Sequence, residues 1–169
     1  MPEKPSFPGF TLWTDAIDPA SREIEARYTC DLDNSSPELR WENPPADTHS
    51  FALVLRDPDA PGGDYYHWLV YAIPAELRHL PAGIPAQEIL PNGVRQGLNS
   101  HGRLGYFGPC PPLGDPAHRY LFELYALGGG IAIAGRKIAP HPLLAEIQKQ
   151  ALARAVCQGT YRRFAKRSA

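Results

Sequence analysis

The stretch that most constrains this chain runs from Gly102 to Leu127, GRLGYFGPCPPLGDPAHRYLFELYAL. Its first half carries Pro109, Pro111, Pro112 and Pro116. Each proline lacks an amide donor and restricts the residue before it, so neither a regular helix nor a central strand can run through. Gly105, Gly108 and Gly114 allow tight turns or close approach of backbone. The second half, from Arg119 to Leu127, is bulky, aromatic and strand-like. His118 and Tyr120 stand where the stiff loop enters that strand, and alternation puts both on one face, roughly 7 Å apart. Two hydrogen-bonding groups delivered to a strand end are the beginnings of a small polar site.

Two further apolar runs, Ser50–Arg56 and His67–Ile73, have the length and composition of strands buried on both faces. The sequence predicts these two and Arg119–Leu127 in one sheet. Phe10–Trp13 is a short strand candidate, and Leu39–Trp41 an apolar patch before the Pro44-Pro45 stop. Glu23–Asp31 alternates, with Ile24, Ala26 and Tyr28 on one side and Glu25, Arg27 and Thr29 on the other. That pattern predicts a half-buried strand. One helix is expected near the C-terminus, where Leu144, Ile147, Ala151, Leu152 and Ala155 recur at helical spacing. Pro142 suits its first turn and Gly159 the region beyond its end. Tyr161–Phe164 follows as a closing strand or as packing for that helix. The glycines at 128–130 read as a turn rather than a phosphate loop, since no GK[ST] follows. The sum is a mainly β chain with one C-terminal helix on a sheet, read as a single domain over residues 1–169.

The 19 prolines among 169 residues favour long ordered loops over a helix-rich architecture. A net charge of −1 provides no global field for nucleic acid. The N-terminus lacks the apolar run of a signal peptide, and no segment reaches membrane-spanning length. Three cysteines, Cys30, Cys110 and Cys157, are odd in number and widely spaced. The expectation is reduced thiols in a cytoplasmic protein. No CxxC pair offers a thiolate metal site, and no cofactor motif is present.

Polar groups flank all three central strands. Asp57 and Asp59 follow the first, His67 opens the second, and His118 and Tyr120 open the third. If those strands are neighbours, Asp57, His67, His118 and Tyr120 converge at one end of the sheet. Two histidines and a tyrosine hydroxyl would suit a phosphate-like oxyanion, with Asp57 orienting a histidine. Taken singly each residue has a plainer reading: a packing histidine, a turn aspartate before Pro58, a core tyrosine. His49, His79, His101 and His141 have no such company and read as surface residues. Arg162, Arg163, Lys166 and Arg167 read as a solvated tail. A crowded DPDAPGG turn is also a plausible place for a cis Ala60–Pro61 peptide.

Three motifs resemble the phosphatidylethanolamine-binding protein family, also called Raf kinase inhibitor-like proteins, in its bacterial branch. They are LRWENPP at 39–45 with SFAL at 50–53, DPDAP at 57–61 with His67-Trp68, and GYFGPCPP at 105–112 with His118-Arg119-Tyr120. The resemblance implies a β-sandwich-like fold with a large central sheet, a smaller sheet and peripheral helices. It implies an anion pocket formed by Asp57, His67, His118 and Tyr120, walled by Gly108, Pro109, Cys110, Pro111 and Pro112. Members are described as binding phosphorylated head groups, and some inhibit kinases or serine proteases. The implied partners are a phosphate-like anion or phosphorylated small molecule and a protein kinase or protease, with a homodimer compatible. Two departures stand out: Asn99-Ser100, where the pattern has Asn-Asp, and the inserted Asp115-Pro116-Ala117, which bears on the pocket rim. The leading expectation is therefore a non-catalytic binder acting as a regulator or inhibitor. A His-based or metal-assisted hydrolase and a pure interaction module are the competing readings.

Overall fold

The computed structural model describes residues 7–133 and 135–165. The first six residues, Ala134, and Lys166 and Arg167 of the basic tail lie outside that range. Two antiparallel sheets pack face to face. The smaller contains β1 (Thr11–Thr14), β2 (Leu39–Glu42) and β5 (His79–Leu80), in that order. The larger has the order β6-β4-β3-β7-β8, with β3 at Ser50–Asp57, β4 at Tyr65–Pro74, β6 at Arg95–Gln96, β7 at His118–Leu127 and β8 at Ala151–Tyr161. A single α-helix among the described residues, α1, spans Pro140–Gln150. The mainly β sandwich expected from the sequence is the fold observed.

The three apolar runs lack clean alternation because both faces of the large sheet are covered. Phe51, Leu53 and Leu55 of β3 join Tyr120, Phe122 and Leu124 of β7 against Leu12, Leu39, Trp41 and Leu80 of the small sheet. The Trp41 and Phe51 rings meet edge to face at 5.5 Å. On the opposite face, Ala52, Val54, Tyr125 and Leu127 pack against Leu143, Leu144 and Ile147 of α1. Every side chain from Phe51 to Leu55 is fully buried, as a two-sided strand requires. Glu123 points to the helix face, also fully buried. Its carboxylate is paired with both Arg56 and Arg154, so the charge is compensated.

Four expectations are corrected. Glu23–Asp31 is not a strand: Ala26–Tyr28 forms a short 3-10 turn, with single bridges at Glu23 and Ile24. Ile24 and Tyr28 are buried and Glu25 and Arg27 exposed, so alternation of burial is present without the strand. The helix ends earlier than its spacing predicts. Ala151, Leu152 and Ala155 belong to β8, which pairs along β7 and leads directly out of the helix. Gly159 lies in that strand rather than beyond a helix, and Tyr161 is its last residue. The Ala60–Pro61 peptide is trans. Finally, Cys30 and Cys110 are joined in a disulfide across 80 residues, leaving Cys157 as the free thiol. The reduced-thiol expectation thus holds for one cysteine of three. No helix among the described residues is long and apolar enough to cross a membrane.

Candidate functional site

Strand parity builds the site. In β3, residues 51, 53 and 55 face the small sheet, and Asp57 is next in that series. In β7, residues 120, 122 and 124 do the same, and His118 precedes them. The two strands are antiparallel, so the end of β3 meets the start of β7. His67 reaches the same place through a bulge. Leu55 pairs with Trp68 and Arg56 with Tyr66, so His67 is left without a partner on β3. Bulges of this kind re-aim a side chain. Its backbone pairs instead with the loop, where Phe107 N donates to His67 O at 3.0 Å. All four residues line one hollow of about 310 Å³, so the expected convergence at one end of the sheet is observed.

The pocket's polar groups are closely coupled. His118 bonds Asp57 Oδ2 through Nδ1 at 2.7 Å and Asp115 Oδ2 through Nε2 at 3.1 Å. Burial disfavours its charge, but the two carboxylate hydrogen bonds and their charges prevail, and its pKa is raised. His67 behaves oppositely. Burial lowers its pKa to about 4, which the Phe107 carbonyl only partly offsets. Its Nδ1–H donates to Phe107 O at 2.6 Å, which fixes the neutral tautomer. The Tyr120 hydroxyl is buried with no partner at hydrogen-bond geometry. Burial raises its pKa, followed by the Asp57 charge and a hydrogen-bond interaction with the same carboxylate, so the hydroxyl faces Asp57.

The surrounding loops are tied down by the same aspartates. Asp57 Oδ1 accepts from Asp59 N at 2.8 Å, so it closes the DPDAP turn as well as facing the pocket. Asp59 accepts from Arg119 Nη2 at 2.8 Å and Nε at 3.0 Å, fastening that turn to β7. The Arg119 hydrogen bond, with burial opposing it, holds the Asp59 carboxyl at about 2. Asn99 braces its own loop, accepting from His101 N at 3.0 Å and donating to Gly105 O at 2.9 Å. Ser100, the departure from the family pattern, accepts from Tyr66 N at 2.9 Å beside the bulge.

Of the expected wall, Cys110, Pro111 and Pro112 line the hollow. Gly108 and Pro109 are its buried footing instead. Gly108 N donates to Asn34 Oδ1 at 2.7 Å, and Pro109 O accepts from Cys30 N at 3.1 Å. The disulfide adds a covalent tie from Cys110 to the same loop. Sequence reasoning missed Tyr65, Phe107, Ala60 and Pro61 as lining residues. Ala60, Pro61 and Phe107 lie inside motifs already singled out and Tyr65 lies two residues before His67, which is the signal that could have found them. It also missed that the inserted Asp115 reaches His118 directly. A larger hollow of about 900 Å³ lies over the small sheet, around Trp13, Arg40 and His79. It is remote from this cluster.

The class this chain falls in is therefore a two-sheet β-sandwich with a small histidine–aspartate pocket where two buried strands end. The family model described as phosphatidylethanolamine-binding protein matches residues 15–162, and the chain belongs to that family. It is similar to a UPF0098 protein of Aquifex aeolicus, 48% identical over 105 residues, 62% of this chain and 61% of that protein. A UPF0098 protein of Methanothermobacter thermautotrophicus is 47% identical over 116 residues, 69% of this chain and 75% of the relative. Among solved structures, YbcL of Escherichia coli, described as a new member of the mammalian PEBP family, superposes with a TM-score of 0.81 at 31% identity. That likeness covers 91% of this chain and 98% of YbcL.

The His118 arrangement has a consequence for stability. A raised histidine pKa contributes stability that is fully present below the unfolded value, near about 6.5, and is lost as pH rises through the higher folded value. Asp115→Asn removes one of the two charges responsible. Melting temperatures across about pH 5.5 to 9 will show wild type more stable than Asp115→Asn at the acid end. The gap will shrink at the alkaline end. A constant gap would mean that His118 is not protonated in the folded state.

Proposed function

We propose that this chain binds a small phosphorylated molecule through its phosphate-like oxyanion, without chemical turnover, as a regulator or inhibitor of a protein kinase or protease. The observation that carries the reading is a small pocket lined by His118, whose pKa is raised, against the effect of burial, by its hydrogen bonds to Asp57 and Asp115, with the Tyr120 hydroxyl beside it. In its protonated form His118 attracts an anion, and the hydroxyl supplies a directed donor. The hollow of about 310 Å³ has room for a phosphoryl group and a small substituent. Tyr65, Phe107, Pro61 and Pro111 offer apolar surface to that substituent. Family membership supports the same reading.

The test is calorimetric titration with phenyl phosphate near pH 6, with product analysis after prolonged incubation. The expected result is saturable binding with intact ligand recovered. In His118→Ala the affinity should fall, because the imidazole that offsets the Asp57 and Asp115 carboxylates is lost and their charges then face the anion. Absence of saturable binding in wild type would remove the reading, and steady release of phosphate would establish the hydrolase reading in its place.

A further inference from the structure

The two sulfurs of the Cys30–Cys110 disulfide have unlike surroundings. On the Cys110 side, Arg163 Nη1 donates to Sγ at 3.6 Å. That arginine is held in place twice. Its Nε donates to Asp31 Oδ1 at 3.0 Å, and its carbonyl accepts from Gly114 N at 2.9 Å. On the Cys30 side no cation bonds the sulfur among the described residues, and the next residue in the chain is the acidic Asp31. Both cysteines are partly exposed. A positive group beside a sulfur lowers the pKa of its thiol, and the sulfur of lower pKa leaves faster in exchange. The hollow that Cys110 lines also carries the Asp57 carboxylate, which disfavours approach of an anionic nucleophile to Cys110 from that side. The two segments are joined by more than the bond. Cys30 N donates to Pro109 O at 3.1 Å, Tyr106 Oη to Tyr28 O at 2.6 Å, and Gly108 N to Asn34 Oδ1 at 2.7 Å. These contacts keep the sulfurs near each other when the bond is open, so that it can close again.

We infer that Cys30–Cys110 is a thiol–disulfide exchange site, opened by a dithiol reductant, with Cys30 as the attacked sulfur and Cys110 as the leaving thiolate held by Arg163. A thiolate of the reductant bonds to Cys30 Sγ as the Cys30–Cys110 bond breaks, and the electron pair of that bond passes to Cys110 Sγ. The second thiol of the reductant gives up its proton and displaces Cys30, which takes a proton up as it leaves. The reductant departs as a cyclic disulfide, and its two electrons remain on the two cysteines. The same steps in reverse, with a disulfide as oxidant, close the bond. This chemistry is separate from the proposed anion binding and does not depend on it.

The test is the rate of reduction by dithiothreitol, followed by alkylation and mass measurement, well below the melting temperature of each protein. In wild type the rate should rise in proportion to dithiothreitol concentration. A rate that levels off would mean that unfolding must come first, and would overturn the inference. Arg163→Met keeps an unbranched side chain and removes the charge, and it should slow reduction by about three- to tenfold, the effect of a leaving thiol whose pKa is no longer lowered. Arg163→Lys retains a charge and should stay close to wild type. An arginine that served only to tie the segment down would give the opposite sign, because its loss would loosen the loop and expose the bond. Reduction of Arg163→Met that is unchanged or faster therefore overturns the inference. The direction of attack is read separately in wild-type protein treated briefly with glutathione and trapped with iodoacetamide. Peptide mapping should find glutathione on Cys30 and the alkyl group on Cys110. The reverse placement would overturn the assignment of Cys110 as leaving group. This arm needs no variant, so it decides the matter even if Arg163→Met fails to fold.

Discussion

Removing the Cys30–Cys110 disulfide will lower the melting temperature by roughly 10 °C. The crosslink closes a loop of 80 residues. In the chain-entropy picture, closing a loop of that length stabilises by about 4 kcal/mol, within the range seen when native disulfides are removed. For a domain of this size each kcal/mol moves the midpoint by about 2–4 °C. The bond joins Cys110, on the pocket wall, to the segment just after the 3-10 turn. Other ties span the same gap: Tyr106 Oη donates to Tyr28 O at 2.6 Å, and Gly108 N to Asn34. Arg163 reaches both Asp31 and Cys110 Sγ. The folded wall should therefore survive reduction largely in place, and the effect should be on stability. The measurement is scanning calorimetry of Cys30→Ser/Cys110→Ser beside wild type with and without dithiothreitol. Cys157→Ser is the control, since burial holds that thiol up at about 12 and away from exchange chemistry. A shift below about 2 °C would mean that the crosslink constrains little in the unfolded chain.

The residues that made the fold readable were those of β3, β4 and β7. Their apolar runs are too short for core helices and too continuous for an exposed sheet, so length and composition agree. β8 was hidden by its small side chains. Ala153, Ala155, Cys157 and Gly159 face the sandwich because little room is left there: a Cβ at Gly159 would lie 2.7 Å from Ile24 Cγ1. A run of alanines after a true helix reads as more helix, and no glycine or proline separates α1 from β8. Glu23–Asp31 misled for a related reason: burial alternated, but only Glu23 and Ile24 found strand partners. The disulfide could not be read from spacing, because nothing local links Cys30 to Cys110. The site was legible in its residues but only half legible in its chemistry. Asp57, His67, His118 and Tyr120 are brought together as expected. The sequence could not show that a bulge isolates His67 and burial keeps it neutral, or that Asp115 occupies His118 Nε2. That His118 sits between two carboxylates while His67 is buried against a carbonyl is a property of the folded surroundings.

Gly108→Ala should be among the most damaging single-carbon additions in the chain, and its cause is steric rather than conformational. Gly108 has no positive φ, so its backbone would accept alanine. The added Cβ, however, would lie 2.1 Å from the Tyr28 carbonyl oxygen, 2.7 Å from Asn34 Oδ1 and 3.0 Å from Thr29 Cα. Two of those atoms are backbone and cannot rotate away. They belong to the segment already fixed by the 3-10 turn and the disulfide. The wall must move outward or residues 28–34 must move back. Either motion breaks the Gly108 N to Asn34 bond, the Tyr106 to Tyr28 bond, or both. Overpacking of this kind costs about 1–3 kcal/mol, and each broken buried hydrogen bond adds about 1–3 kcal/mol. The expected total of roughly 3–5 kcal/mol would lower the melting temperature by about 10 °C or more. Function should fall further than stability. Phe107 O holds His67 Nδ1 at 2.6 Å, and Cys110 to Pro112 line the hollow, so a displaced wall disorders the pocket from two sides. Gly130→Ala is the matched control. It also lacks a positive φ, and its nearest neighbour would be His49 Nε2 at 3.9 Å, so it should change the midpoint little. Calorimetry and phenyl phosphate titration of both variants below their melting temperatures test the argument. Gly108→Ala with the melting temperature and affinity of Gly130→Ala would show that the wall is free to shift, and that it does not position His67.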